Sequence, residues 1–238
     1  MLIWSDPMVP NKMARMPLFF CLFIVISANA IAQIEFSGDA TLVTTYCWRG
    51  IQQFSGPALQ GTAELSIKPL AVGLWYSSVG SADDAMIENQ PYLEFGLPIG
   101  PATAAVGLTF YTYDWFASFN EDAKYETELY GEFEFGLAGF SAAYVPRQKS
   151  TCNSRNRSDY WLEASFNTAL VGADVRLVFA YGTYSSKWLD PPIKNAVSYL
   201  LLSATKAVDD HVAVSWHYSL TADEHLDRLF WFAFVYGF

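Results

Sequence analysis

Alternating polar and apolar side chains restrict the fold of this chain more than any other feature of its sequence. In the segment KYETELYGEFEF, from Lys124 to Phe135, the even positions hold four glutamates and the odd positions are mostly apolar. A β-strand sends successive side chains to opposite faces, so this segment presents one acidic and one apolar face. The same alternation recurs in QGTAELSIK, ADVRLVFAY and HVAVSWHYSL. No stretch after Gln33 keeps a helical period or approaches the ~20 apolar residues of a membrane helix.

Twelve strands are predicted when every alternating run is marked. They lie near residues 35–48, 57–67, 70–80, 90–97, 102–114, 124–136, 138–146, 158–168, 172–184, 195–206, 211–220 and 228–238. Tight connections such as LPIGP and TALVG alternate with longer polar ones such as RGIQQFSG and RQKSTCNSRNR. An even number of strands joined by alternating short and long connections is typical of a transmembrane antiparallel β-barrel, with short periplasmic turns and longer extracellular loops. Ten or fourteen strands stay open, because the weak strand 195–206 can be misassigned.

The aromatic residues separate a membrane barrel from a soluble β-sandwich, which would also show repeated amphipathic strands. They cluster beside the longer connections, and an aromatic belt at one membrane interface accounts for that position. The belt is predicted to contain Tyr46, Trp48, Trp75, Tyr76, Trp115, Tyr144, Tyr160, Trp161, Trp188, Trp216 and Tyr218.

The C-terminal segment LFWFAFVYGF provides an independent sign of a barrel. It places aromatic side chains on one face and ends in Phe238. This resembles the terminal signal of bacterial outer-membrane barrels, and we predict that the assembly machinery recognises Phe234, Tyr236 and Phe238. In a soluble protein such a strand would invite edge-to-edge aggregation, whereas in a closed barrel it pairs with the first strand.

Residues 1–33 read as a signal peptide that precedes a barrel of residues 34–238. Lys12 and Arg15 are followed by an apolar run and then by small residues before Gln33. Translation could also begin at Met13 or Met16, and an N-terminal membrane anchor is the alternative. The predicted location is the outer membrane of a Gram-negative bacterium, in contact with lipid and lipopolysaccharide. Cys47 and Cys152 can form a disulfide after export or stay unpaired, and the sequence leaves both open.

The segment from Thr45 to Gly61, TYCWRGIQQFSGPALQG, is interpreted as a strand end, the first extracellular loop and the return strand, with Arg49 at the pore mouth. Its residues resemble the TorF-like family of proposed porins, formerly a conserved hypothetical protein family, Gcw_chp. The matching motifs are Y-x-x-R-G-I-x-Q, P-A-x-Q-G and G-x-W-x-S, carried by Tyr46, Arg49, Gly50, Ile51, Gln53, Pro57, Ala58, Gln60, Gly61, Gly73, Trp75 and Ser77. Ser78 departs from the asparagine expected there. The resemblance is dense over residues 36–80 and implies an outer-membrane barrel with a channel role but no particular substrate.

The polar faces of the predicted strands supply the candidate pore lining. Together with Arg49, the lining is predicted to contain Asp39, Glu64, Glu94, Glu126, Glu128, Glu132, Glu134, Glu163, Asp174 and Arg176, with Lys68 and Lys124 among the opposing bases. Rings of carboxylates favour cations, and a narrow lumen strengthens their field. The alternative is that the carboxylates pair with inward bases and fill a closed structural barrel, since twelve strands lie between filled small barrels and wide porins.

Charge and motifs narrow the remaining function classes. With 24 acidic and 14 basic residues, the chain would repel the phosphates of nucleic acid. Small solutes or ions are therefore the predicted partners, and the oligomeric state is open. His217 and Ser219 share a strand face, as the base and nucleophile of an outer-membrane lipid hydrolase would. The neighbouring apolar residues Trp216 and Tyr218 are expected to face lipid, however. The pair His217 and Ser219 is therefore assigned to the lumen, and no enzyme is predicted. The sequence has no metal-ligand spacing and no glycine-rich phosphate loop, so neither a metal nor another cofactor is predicted.

Overall fold

A computed structural model describes residues 34–79, 86–112, 125–146, 158–183, 197–222 and 228–238. Every regular element in these ranges is a β-strand. The strands are β1 (Ile34–Val43), β2 (Tyr46–Trp48), β3 (Ile51–Phe54), β4 (Ala58–Ile67), β5 (Leu70–Val79), β6 (Met86–Ile99), β7 (Ala102–Thr112), β8 (Tyr125–Phe135), β9 (Ala138–Val145), β10 (Asp159–Leu170), β11 (Ala173–Gly182), β12 (Val197–Ala207), β13 (Val212–Thr221) and β14 (Leu229–Gly237). Among these described residues there is no helix of the length and hydropathy needed to cross a membrane.

Twelve of the strands form a closed antiparallel barrel, which confirms the predicted fold and strand number. Each strand pairs with its neighbour in sequence, except that β1 pairs with β4 on one side and with β14 on the other. The short strands β2 and β3 pair only with each other and form a separate hairpin between β1 and β4. Strand 195–206, the weakest of the predictions, is present as β12 and continues to Ala207.

The first predicted strand, 35–48, is divided in two by the structure. Barrel pairing ends where the Thr44 amide donates to the Phe232 carbonyl and the Phe232 amide donates to the Thr44 hydroxyl, both at 3.0 Å. The chain then leaves the wall and resumes as β2 at Tyr46. Strand β6 differs in the other direction, because it runs from Met86 to Ile99 rather than over 90–97.

The barrel closes where the last strand meets the first. Gly38 and Phe238 exchange two backbone hydrogen bonds of 3.0 Å, and β14 stays in register with β1 from Gly237 to Ala233. A closed barrel leaves no unpaired strand edge within the wall, which is a requirement for backbone in hydrocarbon. Ile34 pairs with Ile67 beside the short turn that follows β4, and Phe238 pairs with Gly38 near the same end of β1. Both ends of the barrel segment thus lie at the rim formed by the short turns, which we call the short-turn rim.

The two faces of the wall differ as the alternation predicts. Large apolar side chains project outward and stay exposed on the isolated barrel, for example Phe36 at 65%, Val106 at 60% and Phe179 at 66%. The inner face carries carboxylates, hydroxyls and aromatic rings. An apolar outer band around a polar interior is the arrangement of an outer-membrane barrel.

Several predictions concern residues outside the described ranges. They include the leader 1–33, Lys124, the partner cysteine Cys152, the basic loop RQKSTCNSRNR, and Trp115 and Trp188 of the expected belt. The longer connections after β5, β7, β9, β11 and β13 also lie wholly or partly outside the described ranges.

Candidate functional site

The motif YCWRGIQQF forms a tight hairpin with a two-residue turn. Trp48 pairs with Ile51, and the two turn residues Arg49 and Gly50 have φ angles of 49° and 73°. Two successive positive φ values define the mirror-image turn that matches the twist of paired strands. Gly50 is required for a second reason, because a Cβ atom there would lie 2.7 Å from the ring of Tyr199.

This hairpin folds inward and crosses the lumen. Ile51, which is 1% exposed, packs in a buried cluster with Trp161 of β10, Val178 and Ala180 of β11, and Tyr199 of β12. In the order of the wall, β10 lies five strands from β1 in one direction, and β8 lies five strands away in the other. The hairpin tip therefore contacts the wall opposite to its own attachment. The segment interpreted as an extracellular loop is thus an internal element, which we call the lumen hairpin (Tyr46–Phe54).

The root of the lumen hairpin is packed on the near wall. Tyr46 belongs to a second buried cluster with Val43, Ala58 and Ala233. Its ring lies 5.7 Å from that of Trp75 on β5, and its hydroxyl donates to Glu88 on β6 at 3.0 Å. Both ends of the hairpin are therefore held, which is the condition for it to keep one position inside the barrel.

Arg49 at the hairpin tip forms a bidentate ion pair with Glu128 of β8. Its two terminal nitrogens donate to the two carboxylate oxygens at 2.7 and 2.8 Å. The guanidinium carbon also lies 4.4 Å from the ring centroid of Trp48 and 5.3 Å from that of Trp161. Tyr111 donates to the same carboxylate at 3.1 Å. Burial by itself would lower the pKa of Arg49, but the Glu128 carboxylate outweighs it and the pKa lies above its ordinary value, so the guanidinium stays charged.

The thiol of Cys47 lies in the lumen hairpin, next to this ion pair in sequence. Cys47 has no disulfide partner among the described residues, and its predicted partner Cys152 lies outside them. Burial raises the pKa of Cys47 to about 12, with a smaller opposing effect from a backbone hydrogen bond at Gly50. The thiol is therefore poorly reactive while the hairpin stays packed, because the thiolate is the reactive form.

A cavity of about 520 Å³ lies against the hairpin inside the barrel. Its described lining contains five carboxylates and one basic side chain, Arg49; the carboxylates are Glu64, Glu94, Glu128, Glu132 and Glu163. The cavity thus brings together six of the residues predicted to line a pore. Their shared environment is acidic, because five carboxyl groups face one guanidinium.

Neutral donors, rather than bases, bind several of these carboxylates, and they do so in a repeated pattern. Tyr92 lies across Gly73 from Glu64 and donates to it at 2.6 Å. The corresponding residues Tyr130, Gly107 and Glu94 make the same contact at 2.9 Å, and Tyr199, Ala180 and Glu163 make it at 2.8 Å. We call these three sets the tyrosine–glutamate rows. Each row joins three adjacent strands at one register position, and each leaves the negative charge in place.

The other predicted site residues lie elsewhere on the inner wall. Glu126 lines a narrow cavity on the opposite side of the hairpin together with Glu88, and Glu134 lines a cavity near the short-turn rim with Lys68. Asp39 accepts a hydrogen bond from Thr41 at 2.9 Å. Asp174 and Arg176 are exposed on β11 near the same rim and do not line the 520 Å³ cavity.

Sequence reasoning missed Glu88 and the aromatic half of the site. Tyr46, Trp48, Trp75 and Trp161 point inward and build the hairpin contacts, whereas the prediction assigned them to the lipid belt. Described residues of the belt that do face outward include Tyr144, Tyr160 and Trp216, which are 46%, 42% and 37% exposed. The strand parity of Trp161, opposite to that of Leu162, was the one signal available for assigning it inward.

The pair considered for lipid hydrolysis faces the interior. His217 stacks on Trp231 with ring centroids 4.9 Å apart, and it pairs across the strands with Ser203. The Ser219 hydroxyl is fully buried and has no hydrogen-bond partner among the described residues. His217 therefore does not activate Ser219, as a base must activate a nucleophile. The described residues also contain no group of three His, Cys, Asp or Glu side chains placed to hold a metal ion.

The closed barrel, its apolar exterior and its charged interior define a protein with the fold of bacterial outer-membrane channels. The chain belongs to the Gcw_chp family, described as a bacterial protein of unknown function, whose model matches residues 27–226. No curated protein matches the sequence.

Solved structures resemble the barrel at low sequence identity. One, from a study of in-meso crystallization of membrane proteins, has a TM-score of 0.53 at 9% identity, and the match covers 85% of this chain and 83% of the chain in that structure. An outer membrane channel of Pseudomonas putida F1 has a TM-score of 0.49 at 9% identity, and the match covers 89% of this chain and 97% of the channel. The outer membrane phospholipase of Salmonella typhi has a TM-score of 0.43 at 11% identity, and the match covers 88% of this chain and 92% of the phospholipase. At such identities the likeness concerns the fold alone.

Proposed function

We propose that this protein is an outer-membrane channel for small solutes or ions, that its lumen prefers cations, and that the lumen hairpin narrows it. The observation that carries the proposal is the acidic cavity, in which five carboxylates face one guanidinium. Rings of carboxylates select for cations in channels. The resemblance to the TorF-like family supports the same role, and the leader and the aromatic C-terminus support export and insertion into the outer membrane.

The tyrosine–glutamate rows support cation preference because they hold carboxylates without neutralising them. A carboxylate paired with Lys or Arg would contribute little field to a passing ion. Tyr92 and Tyr130 instead bind Glu64 and Glu94 through neutral hydroxyls. The low-dielectric wall of a narrow lumen then strengthens the remaining negative field.

Single-channel conductance of the refolded chain in a planar bilayer under a tenfold salt gradient tests the proposal. We expect discrete steps and a cation-selective reversal potential, which moves towards zero when Glu94→Gln and Glu132→Gln are combined. Both residues line the acidic cavity, and neither holds Arg49. The matched control combines Glu35→Gln with Asp210→Asn, two exposed acids at the short-turn rim. An anion-selective pore, or an equal effect of the control pair, would contradict the acidic lining.

A closed structural barrel is the second candidate, and the packing of the hairpin across the lumen favours it. The Arg49→Ala variant distinguishes the two, because it releases the hairpin tip from Glu128. Conductance in this variant alone would mean that the hairpin closes a channel. A correctly folded barrel that conducts in neither form would establish the structural candidate.

A further inference from the structure

We propose that the seat of Arg49 is a binding site for solutes that carry a guanidinium group, and that such solutes displace the Arg49 side chain in order to pass. This inference rests on the proposed channel function and names its substrate class. The site consists of Trp48, Trp161, Tyr111 and Glu128, with Arg49 as its built-in occupant. The chain's own guanidinium thus shows which chemistry the site recognises.

The geometry of the site selects a planar cation with two parallel donors. Both oxygens of Glu128 accept from Arg49, at 2.7 and 2.8 Å, and this fork-to-fork arrangement is specific to guanidinium. The Trp48 and Trp161 rings lie 6.4 Å apart at an interplanar angle of 25°. Arg49 lies within cation–π distance of both rings. An ammonium ion could use the charge of Glu128 but not the two-point contact.

The ion pair lies between two cavities inside the barrel. Trp48, Arg49 and Glu128 line the cavity of about 520 Å³, and the same three residues line the narrow cavity of about 40 Å³ on the other side of the hairpin. A solute that moves between these spaces along their shared lining passes the ion pair. A long Arg side chain can leave Glu128 by rotation about its own bonds, while the packed hairpin, Trp48 and Glu128 keep their places.

A guanidinium solute must also be attracted into the cavity, and the acidic wall provides that attraction. Glu64, Glu94 and Glu163 line the cavity that leads to the seat and accept hydrogen bonds from tyrosine hydroxyls. An incoming guanidinium therefore meets a negative field and then a carboxylate that already accepts two N–H donors. Exchange of one guanidinium for another conserves the hydrogen bonds of Glu128, so this buried carboxylate is not left unpaired.

Binding of methylguanidine to the refolded Arg49→Ala barrel tests this inference directly. We expect saturable binding, followed through tryptophan fluorescence, that becomes about tenfold weaker when Glu128→Gln is added, since a charge-assisted bidentate contact is lost. Wild type should bind more weakly than Arg49→Ala, because its own guanidinium competes for the seat. Methylammonium should bind the vacant seat about tenfold more weakly than methylguanidine. The Arg49→Lys variant, which keeps a cation at the tip, serves if Arg49→Ala fails to fold, and it should bind methylguanidine more tightly than wild type.

The control is Lys68→Ala, which also removes a base and an ion pair, the exposed Lys68–Glu35 contact at the short-turn rim. It should bind methylguanidine no better than wild type. Equal binding in Lys68→Ala and Arg49→Ala, or no effect of Glu128→Gln, would overturn the site. Bilayer records separate this failure from that of the channel. A conducting barrel whose Arg49→Ala form does not bind methylguanidine keeps the channel and overturns the site, whereas binding in a barrel that never conducts keeps the site and overturns passage.

Discussion

At the scale of single residues, the turn of the lumen hairpin depends on backbone conformation as much as on side chains. Arg49 and Gly50 both adopt positive φ, and at Gly50 the Tyr199 ring also leaves no room for a Cβ atom. The left-handed conformation costs a residue with a Cβ roughly 1 kcal/mol relative to glycine. The turn therefore aims the guanidinium at Glu128 while Gly50 lies flat against Tyr199.

The Gly50→Ala substitution should loosen the hairpin tip. It adds the cost of positive φ to a collision, since the new Cβ would lie 2.7 Å from the Tyr199 ring. The measurement is the rate of maleimide labelling of Cys47 in a Cys152→Ser background, which should rise as the hairpin leaves its packed position and the pKa of the thiol falls from about 12 towards its ordinary value.

Gly100→Ala is the matched control for this change. Gly100 also has positive φ, 61°, but a Cβ there would have no neighbour within 4 Å. It should lower stability by about 1 kcal/mol and leave Cys47 labelling unchanged. Labelling of Gly50→Ala at the parental rate would show that contact with Tyr199 does not hold the hairpin.

At the scale of elements, the tyrosine–glutamate rows show how three strands cooperate to hold one carboxylate. The donor, the small residue and the acceptor occupy adjacent strands at one register position, as in Tyr130, Gly107 and Glu94. A Cβ on Gly107 would lie 2.2 Å from the Tyr130 ring, so the phenol can cross to the next strand only where a small residue lies beneath it. Each row thus fixes a carboxylate and also covers a small residue of the strand between, which is Gly73, Gly107 or Ala180.

The Tyr130→Phe substitution should lower the free energy of unfolding by about 1 kcal/mol, because Glu94 loses a hydrogen-bond donor. Denaturant unfolding in lipid vesicles measures the change. Tyr181→Phe, at a tyrosine that is 49% exposed on the outer face, should cost about 0.5 kcal/mol or less. Combining Tyr130→Phe with Glu94→Gln should cost less than the sum of the single changes, since both remove the same contact. Full additivity would argue against the row as a unit.

At the scale of the whole molecule, closure joins the last residue of the chain to the first strand. Phe238 exchanges backbone hydrogen bonds with Gly38, and its ring lies 6.1 Å from that of Phe36. The ring also covers Gly38, where a Cβ would come within 2.8 Å of it. The terminal aromatic residue therefore occupies the seam of the barrel, in addition to its proposed role as an assembly signal.

The Phe238→Ala substitution should reduce the fraction of barrels assembled in cells severalfold, because it removes both the seam contact and the proposed signal. Heat-dependent migration on gels measures that fraction. Phe230→Ala is the control on the same strand and face: the two rings are 58% and 56% exposed, but Phe230 pairs across to β13 and not to β1. An equal loss in both variants would show that lipid contact, rather than the terminus, accounts for the effect.

Much of the barrel could be predicted because its information is local. Alternation over ten or so residues assigns each side chain of a segment such as Tyr125–Phe135 to one face, and the connection lengths then order the strands. The inward direction of Glu64, Glu94 and Glu128 follows from parity alone. These features required no knowledge of what lies across the barrel.

The lumen hairpin and its contacts were decided by the tertiary structure. Aromatic residues beside a long loop look alike in sequence whether they face outward, as Tyr160 does, or the interior, as Tyr46 and Trp48 do. The Arg49–Glu128 pair spans 79 residues and joins the lumen hairpin to the opposite wall. Alternation predicted the strands of the wall, because the two faces of a strand can be read from neighbouring residues. The element that fills the lumen could not be predicted in this way. Its position depends on how the twelve closed strands bring distant residues within hydrogen-bonding distance.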